Sequence, residues 1–250
     1  MQDSAGVVSP EISTALDRLA TDLTALGGSN FCGLILFGGL ARGRFRPGYS
    51  DVNVVLVLKE ATSAALQVIA PSLRTAWRSA GVEPMILKES ELALAAEAFP
   101  TKFLDIKKFH RLLAGVDPFD ELVISRDHLR LRTEQELANL LLRVRRRYVA
   151  VAEEPMLLTR ALVDAARPFA LQLQNLLVLS GKPLPETDRT LALYEAAASA
   201  FDLPMEPLRR LAAIRQAPGA AADAQAVSDG LLEALTRAVA VAANLKDAPG

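Results

Sequence analysis

The sequence has few residues that form covalent or metal cross-links, with one cysteine and two histidines among 250 residues. Cys32 has no second cysteine with which to form a disulfide within the chain. His110 and His128 are far apart in sequence and do not have the spacing of zinc ligands. The composition therefore excludes an intrachain disulfide and argues against a zinc site.

The chain also lacks an excess of charge and a long hydrophobic run. Its formal net charge of −1 gives no general attraction to nucleic acids or to an anionic membrane. No segment approaches the ~18 uninterrupted apolar residues of a membrane span. The N-terminal segment contains Asp3, whereas a secretory signal has a basic region and an apolar core. We therefore expect a cytoplasmic protein without a membrane partner, and a nucleic-acid partner is not expected.

What the composition does contain is typical of a globular protein. Hydrophobic residues make up 51% of the chain and charged residues 23%, which excludes a disordered chain. The length suits one large domain or two smaller ones, each long enough to bury a core. The richness in alanine, leucine and arginine suggests a bacterial source with a GC-rich genome.

The first part of the chain alternates between strand and helix patterns. Periodicity predicts helices over 62–79 and about 90–98, and a fourth strand-like run that starts at Phe103 and includes Asp105. The strands predicted before that run are Phe31–Phe37, Asp51–Leu58 and Val82–Leu87. Pro84 places the third of these at an edge of the sheet. This order predicts a small mixed sheet with helices against one face.

The pattern changes after Gly115. Residues 116–126 contain a proline and several acids and are predicted to form a linker. Helical periodicity then continues almost to the C-terminus, beginning with a long helix from Asp127. Further helices are predicted near 156–179, 188–201, 205–215 and 222–244. The sequence therefore predicts an α+β fold, with a small mixed β-sheet domain over residues 1–120 followed by an all-helical bundle over residues 121–250.

One short segment carries the chemistry that the sequence shows. The first predicted strand ends in Gly38-Gly39, and the next strand opens with Asp51 and Asn53. Because side chains alternate between the two faces of a strand, Asp51 and Asn53 are predicted to point the same way, toward the Gly-Gly turn. A flexible turn beside paired oxygen ligands suits a nucleoside triphosphate and its magnesium ion.

This segment also supports a family resemblance. Leu36-Phe37-Gly38-Gly39 followed by Asp51-Val52-Asn53-Val54 resembles the signature of the nucleotidyltransferase superfamily that includes DNA polymerase β. Leu40-Ala41-Arg42-Gly43 resembles its continuation in the minimal and aminoglycoside-modifying branches. The resemblance implies a catalytic sheet domain followed by a helical domain. It also implies transfer of a nucleotidyl group, which we expect to be adenylyl, from a nucleoside triphosphate with Mg²⁺ to a hydroxyl acceptor.

The resemblance implies roles for individual residues. Gly38-Gly39 would form the phosphate turn, and Asp51 would be catalytic as the first metal ligand. Asn53 stands at the position of the second metal-binding carboxylate. We assign the third carboxylate, which completes the metal site or acts as a base, to Asp105, a lone acid among apolar residues. A structural ion pair between Asp105 and Lys107 is the alternative.

Several polar residues around the turn have two interpretations each. Arg42, Arg44 and Arg46 either contact phosphate or lie in a solvated loop. Ser50 either contacts phosphate or caps the entry to the second strand. The basic run over residues 107–111 either lines the substrate cleft or belongs to an ordinary polar surface.

Asn53 departs from the family pattern, and this leaves two functional hypotheses. An amide oxygen ligates Mg²⁺ but brings no charge, so metal binding is weaker than with a second carboxylate. The first hypothesis is a nucleotidyltransferase whose activity is weakened by Asn53. The alternative is a catalytically silent nucleotide-binding or protein-interaction module, which includes an antitoxin-like role.

Overall fold

The change in sequence pattern corresponds to a division of the structure into two units, Met1–Ser125 and Arg126–Gly250. The computed structural model describes residues 9–45, 50–187, 189–217 and 223–245. The predicted α+β fold class, with a small mixed sheet followed by a helical bundle, is confirmed. Among the described helices, none combines the length and the apolar character that crossing a membrane requires.

In the first unit, short apolar runs form the strands, and segments with helical periodicity form the helices around them. In chain order the elements are α1 (Pro10–Gly27), β1 (Phe31–Phe37), α2 (Gly38–Ala41), β2 (Val52–Leu58), α3 (Ser63–Ala80), β3 (Val82–Lys88), α4 (Leu92–Ala98), α5 (Pro100–Lys108) and β4 (His110–Gly115). The Ser9 hydroxyl caps α1 by accepting a hydrogen bond from the backbone N–H of Ile12 at 3.3 Å.

The sheet has the strand order β3-β2-β1-β4. β1 is antiparallel to both β2 and β4, whereas β3 is parallel to β2 and reaches it through α3. β3 is an edge strand, as the proline at position 84 predicted. Because β2 and β3 are parallel, both strands begin at the same end of the sheet.

Helices cover both faces of this sheet, so the prediction that they cover one face is wrong. Val54 and Leu56 of β2 pack with apolar side chains of α1 and α3. The alternate residues Val55 and Val57 pack with side chains of α4 and α5 and with Phe119. β2 therefore contributes to two cores, and its face toward α4 and α5 also carries Asn53.

The predicted strand that was to begin at Phe103 is a helix, and the strand starts later, at His110. Pro100 occupies the first turn of α5, where its missing N–H is harmless and its fixed φ favours a helix. Phe103 and Ile106 are three residues apart and both are buried, which is the spacing of a helix face. Asp105 therefore lies on a helix and not on a strand.

The second unit is a bundle in which α7 packs against each of the other helices. Its helices are α6 (Arg126–Val151), α7 (Pro155–Leu179), α8 (Thr190–Phe201), α9 (Met205–Gln216) and α10 (Ala224–Asn244), close to the predicted bounds. Tyr194 of α8 is fully buried in the core, and its hydroxyl donates to the Ala166 carbonyl at 2.8 Å. Burial raises the pKa of Tyr194, so this phenol stays protonated and keeps the hydrogen bond.

We expect Gly115→Ala to destabilise the first unit more than Gly81→Ala does. Both glycines have a positive φ, 82° and 62°, which disfavours alanine by about 1–2 kcal/mol. Only at Gly115 would the new Cβ also lie 2.2 Å from a backbone oxygen, that of Cys32, so the backbone must shift. Overpacking of this kind adds about 1–3 kcal/mol. Urea unfolding followed by the fluorescence of Trp77, the single tryptophan, measures both variants. Equal losses would contradict the close approach of β4 to β1.

Candidate functional site

The ends of three neighbouring strands bring the sequence motif together with a residue from β3. Phe37, the last residue of β1, pairs with Asn53 near the start of β2. Glu83, near the start of β3, pairs with Asn53 on the other side. Because paired residues of neighbouring strands point to the same face, these side chains share one face of the sheet. We call Gly38, Asp51, Asn53 and Glu83 the strand-end site.

The Gly-Gly turn is shaped by its contact with Asn53. Gly38 has φ = 77°, a left-handed conformation, and a Cβ placed on it would lie 3.3 Å from Nδ2 of Asn53. Gly39 begins the tight return of the chain, because its carbonyl accepts a hydrogen bond from the backbone N–H of Arg44 at 2.8 Å. The turn therefore presents backbone, without a side chain, directly beside Asn53.

Asp51 and Asn53 differ in how they are held. Asp51 lies immediately before β2 and is exposed, and its carboxylate has no hydrogen bond or ion pair within the described part of the chain. The Nδ2 of Asn53 donates a hydrogen bond to the backbone carbonyl of Asp51 at 3.2 Å. This bond fixes the amide and leaves its Oδ1 to accept a ligand.

Glu83 is a candidate site residue that the sequence reading missed. Its side chain is exposed, and its Oε1 accepts a hydrogen bond from Nε1 of Trp77 at 3.2 Å. A signal for it was present, because β2 and β3 are separated by one helix. A strand-helix-strand connection makes parallel strands, whose starts lie at the same end of a sheet. An acid near the start of β3 therefore belongs next to Asp51 and Asn53.

Asp105, the predicted third carboxylate, is bound to Arg42. Its Oδ2 forms an ion pair with Nη2 of Arg42, whose side chain is only 6% exposed. The guanidinium also lies over the ring of Phe109, 4.2 Å from its centroid. This ion pair explains why an acid occurs in an apolar part of α5, because a buried guanidinium requires a counterion. One oxygen of Asp105, Oδ1, is buried without a hydrogen-bond partner in the described structure.

The predicted alternative was a structural ion pair of Asp105 with Lys107. Asp105 does form an ion pair, but its partner is Arg42. The Lys107 ammonium donates instead to the backbone carbonyls of Asp120 at 3.1 Å and Leu122 at 2.8 Å. It therefore fastens the segment that follows β4. Burial lowers the pKa of Lys108, and the nearby Asp105 carboxylate acts in the opposite direction.

His110 has a similar structural role within the basic run of residues 107–111. Its Nε2 lies 2.7 Å from Oδ2 of Asp117, and its Nδ1 lies 2.9 Å from the carbonyl oxygen of Ile106. The other oxygen of Asp117 accepts the backbone N–H of Phe119. The run thus ties α5 to the segment after β4, which favours the structural interpretation for Lys107 and His110.

The remaining polar residues around the turn are Arg44, Arg46 and Ser50, and the structure adds Lys102 to them. Arg44 closes the turn through its backbone, and Arg46 lies outside the described residues. Ser50 precedes Asp51 in the chain and is half-buried. The ammonium of Lys102, on α5, lies 5.9 Å from the centroid of the Phe37 ring, and Phe37 is the pairing partner of Asn53. Lys102 is therefore a cation near the strand-end site that the sequence reading did not select.

The strand-end site offers oxygen ligands of the kind that Mg²⁺ prefers. Asp51 and Glu83 supply carboxylates, and Asn53 supplies an amide oxygen, all from the starts of adjoining strands. Within the described ranges, no three His, Cys, Asp or Glu side chains form a metal-binding cluster by themselves. The carboxylate of Asp51 and the amide oxygen of Asn53 are the type of ligands that hold one Mg²⁺ with water and phosphate, and Glu83 lies beside them on the neighbouring strand.

Comparison with known proteins bears on the fold of the chain. No family model matches the chain, and no curated protein matches it. Among solved structures, the chain is similar to the crystal structure of spectinomycin adenyltransferase AAD(9) from Enterococcus faecialis with ATP and spectinomycin. The TM-score is 0.52 and the identity 14%, with 94% of this chain and 99% of that chain covered. At the level of fold, this confirms the predicted resemblance to nucleotidyltransferases of the aminoglycoside-modifying type.

We expect the Arg42–Asp105 ion pair to stabilise the first unit. Asp105→Asn removes the negative charge that pairs with a nearly buried guanidinium, so the free energy of unfolding should fall by about 1–3 kcal/mol. Asp22→Asn is the matched control, because Asp22 and Arg18 form an exposed pair whose loss changes stability by about 0.5 kcal/mol or less. Urea unfolding followed by Trp77 fluorescence compares the two. Equal effects would mean that the buried pair contributes no more than a surface pair.

Proposed function

We propose that this protein binds a nucleoside triphosphate with Mg²⁺, ATP being the expected one, and transfers an adenylyl group to a hydroxyl of a small molecule or protein. The observation that carries the proposal is the placement of Asp51, Asn53 and Glu83 at adjoining strand ends beside the Gly38 turn. The fold similarity to an adenyltransferase whose structure contains ATP and spectinomycin supports it.

In this proposal the strand-end site holds the triphosphate. Asp51 and Asn53 would hold Mg²⁺, which when bound neutralises the charge of the phosphate oxygens. Gly38-Gly39 lets backbone N–H groups approach the triphosphate, because no side chain intervenes. Ser50 remains a candidate for a phosphate contact at the entry to β2.

Arg42 and Lys102 would have different roles in this proposal. Arg42, for which a phosphate contact was one of two predicted interpretations, is held by Asp105 and Phe109, so we propose that it fixes the end of the turn. Lys102 is exposed beside Phe37, and its ammonium is the better placed of the two to meet a phosphate. Asp105 would then act through Arg42 and not as a ligand of the metal.

Glu83 would act as the general base in the transfer. The acceptor oxygen attacks the α-phosphorus, the bond from that phosphorus to pyrophosphate breaks, and the hydroxyl proton passes to the Glu83 carboxylate. Oε1 of Glu83 accepts from Trp77, which orients the carboxylate and leaves Oε2 for the proton. The remaining contribution of the protein is to position the reactants and stabilise charge.

A silent nucleotide-binding or protein-interaction module is the second candidate, and Asn53 is the observation that favours it. Its amide is hydrogen-bonded to the chain, and it brings no negative charge to the place where the family has a carboxylate. Such a site binds Mg²⁺ more weakly than a site with two carboxylates on one strand. An antitoxin-like role, in which the protein binds a partner without turning over a nucleotide, belongs to this candidate.

Pyrophosphate release from ATP and Mg²⁺, measured over a panel of hydroxyl acceptors, tests the enzyme hypothesis. We expect Asp51→Asn and Glu83→Gln each to lower the rate by about 100-fold or more, since one removes a metal ligand and the other the base. Asp105→Asn should lower it much less if Asp105 only positions Arg42. Glu97→Gln is the control, because Glu97 is exposed on α4 and is not part of the strand-end site.

The rate of Asp105→Asn decides whether Asp105 or Glu83 acts as the third carboxylate. A loss in Asp105→Asn as large as in Asp51→Asn, with Glu83→Gln near the native rate, would restore Asp105 to that role. Titration of each variant with ATP and Mg²⁺ in a calorimeter reports binding separately from turnover. Native binding affinity in Asp51→Ala would show that the nucleotide binds elsewhere.

Replacement of Asn53 by aspartate tests whether the natural site is active. Asp has the shape of Asn and adds one negative charge, so we expect Asn53→Asp to bind Mg²⁺ more tightly and to release pyrophosphate faster than the native chain. Asn53→Ala should weaken Mg²⁺ binding. Activity in Asn53→Asp together with none in the native chain would favour the silent module as the natural state.

A further inference from the structure

The second unit contains a pocket that the proposed function does not use. It lies between α6, α7 and α10 and has a volume of about 250 Å³. Its floor is formed by the buried side chains of Leu158, Leu162 and Leu231. An apolar cavity of about 150 Å³ holds benzene, so this pocket has room for one ring with a short substituent.

The pocket is partly open to solvent, and two groups shape its wall. Pro168 lines it from within α7, and the Tyr148 hydroxyl accepts a hydrogen bond from Gln225 of α10, which holds that ring against the opposite helix.

The rim of the pocket carries an excess of positive charge. Arg147 is 3.7 Å from the carboxylate of Asp164, and both side chains are more than half exposed. Arg143, one helical turn before Arg147, also lines the pocket and has no ion pair or hydrogen bond within the described part of the chain. Two arginines against one aspartate leave one cation at the rim for a ligand.

We propose that this pocket binds a small apolar molecule, one ring or a short chain in size, that carries a single carboxylate. The apolar body occupies the floor of leucines, and the carboxylate pairs with Arg143 at the rim. The net charge of the chain is −1, so the attraction for an anion is local to this rim and not a property of the whole surface.

The experiment measures binding of three compounds with the same apolar body to the full-length protein. These are 3-phenylpropionate, 3-phenylpropanol and 3-phenylpropylamine, compared by calorimetry at low ionic strength. The carboxylate should bind most tightly and the amine most weakly. Equal affinities, or no detectable binding of the carboxylate, would overturn the proposal.

Variants then locate the site. Arg143→Gln should weaken 3-phenylpropionate by about three- to tenfold and leave the alcohol unchanged, as expected for one partly exposed charge pair. Arg145→Gln is the matched control, because Arg145 is exposed on the opposite side of α6 and does not line the pocket. Ala161→Leu places a larger side chain in the pocket and should abolish binding of all three compounds. Equal effects of Arg143→Gln and Arg145→Gln, or native binding in Ala161→Leu, would overturn the proposal.

Discussion

The pairing of β2 with a strand on each side is the constraint on which the candidate site depends. β1 brings the Gly38 turn to one side of Asn53, and β3 brings Glu83 to the other. In a sheet, a slip of one residue moves every side chain to the opposite face. Such a slip of β3 would turn Glu83 toward α1 and α3 and would expose apolar residues in its place. The two cores that fix the register therefore also fix the chemistry.

A second constraint on the site is the buried positive charge of Arg42 in the first unit. Arg42 is almost fully enclosed at the end of the Gly-Gly turn, and such a cation is stable only with a partner. Asp105 supplies that partner from α5, and Phe109 covers the guanidinium. The geometry of the turn is thereby connected to a helix on one face of the sheet. An acid that sequence reasoning assigned to metal binding is thus explained by the cation it neutralises.

The sequence predicted the fold well wherever periodicity was sustained. The strand Phe31–Phe37 and the long helices of the second unit were predicted nearly to their observed bounds, because their apolar residues repeat over many positions. The segment around Phe103 was misread, because a short apolar run fits a strand and a helix equally well, and the helix start at Pro100 decides between them. Glu83 was missed for a different reason. Its position beside Asn53 depends on the pairing of β2 with β3, which the strand-helix-strand connection predicts but no pattern within β3 itself reports.

The contact between Gly38 and Asn53 has a consequence for how this site varies among related chains. The space beside Gly38 is filled by the amide of Asn53, so a bulkier residue at position 53 would displace the turn. Aspartate has nearly the same shape as asparagine and a neighbouring codon, and it adds a negative charge while removing the Nδ2 that donates to the Asp51 carbonyl. Evolution can therefore strengthen or weaken the site at this one position while the scaffold stays constant. An active ancestor and a silent descendant, or the reverse, would then differ at this one side chain within the same fold.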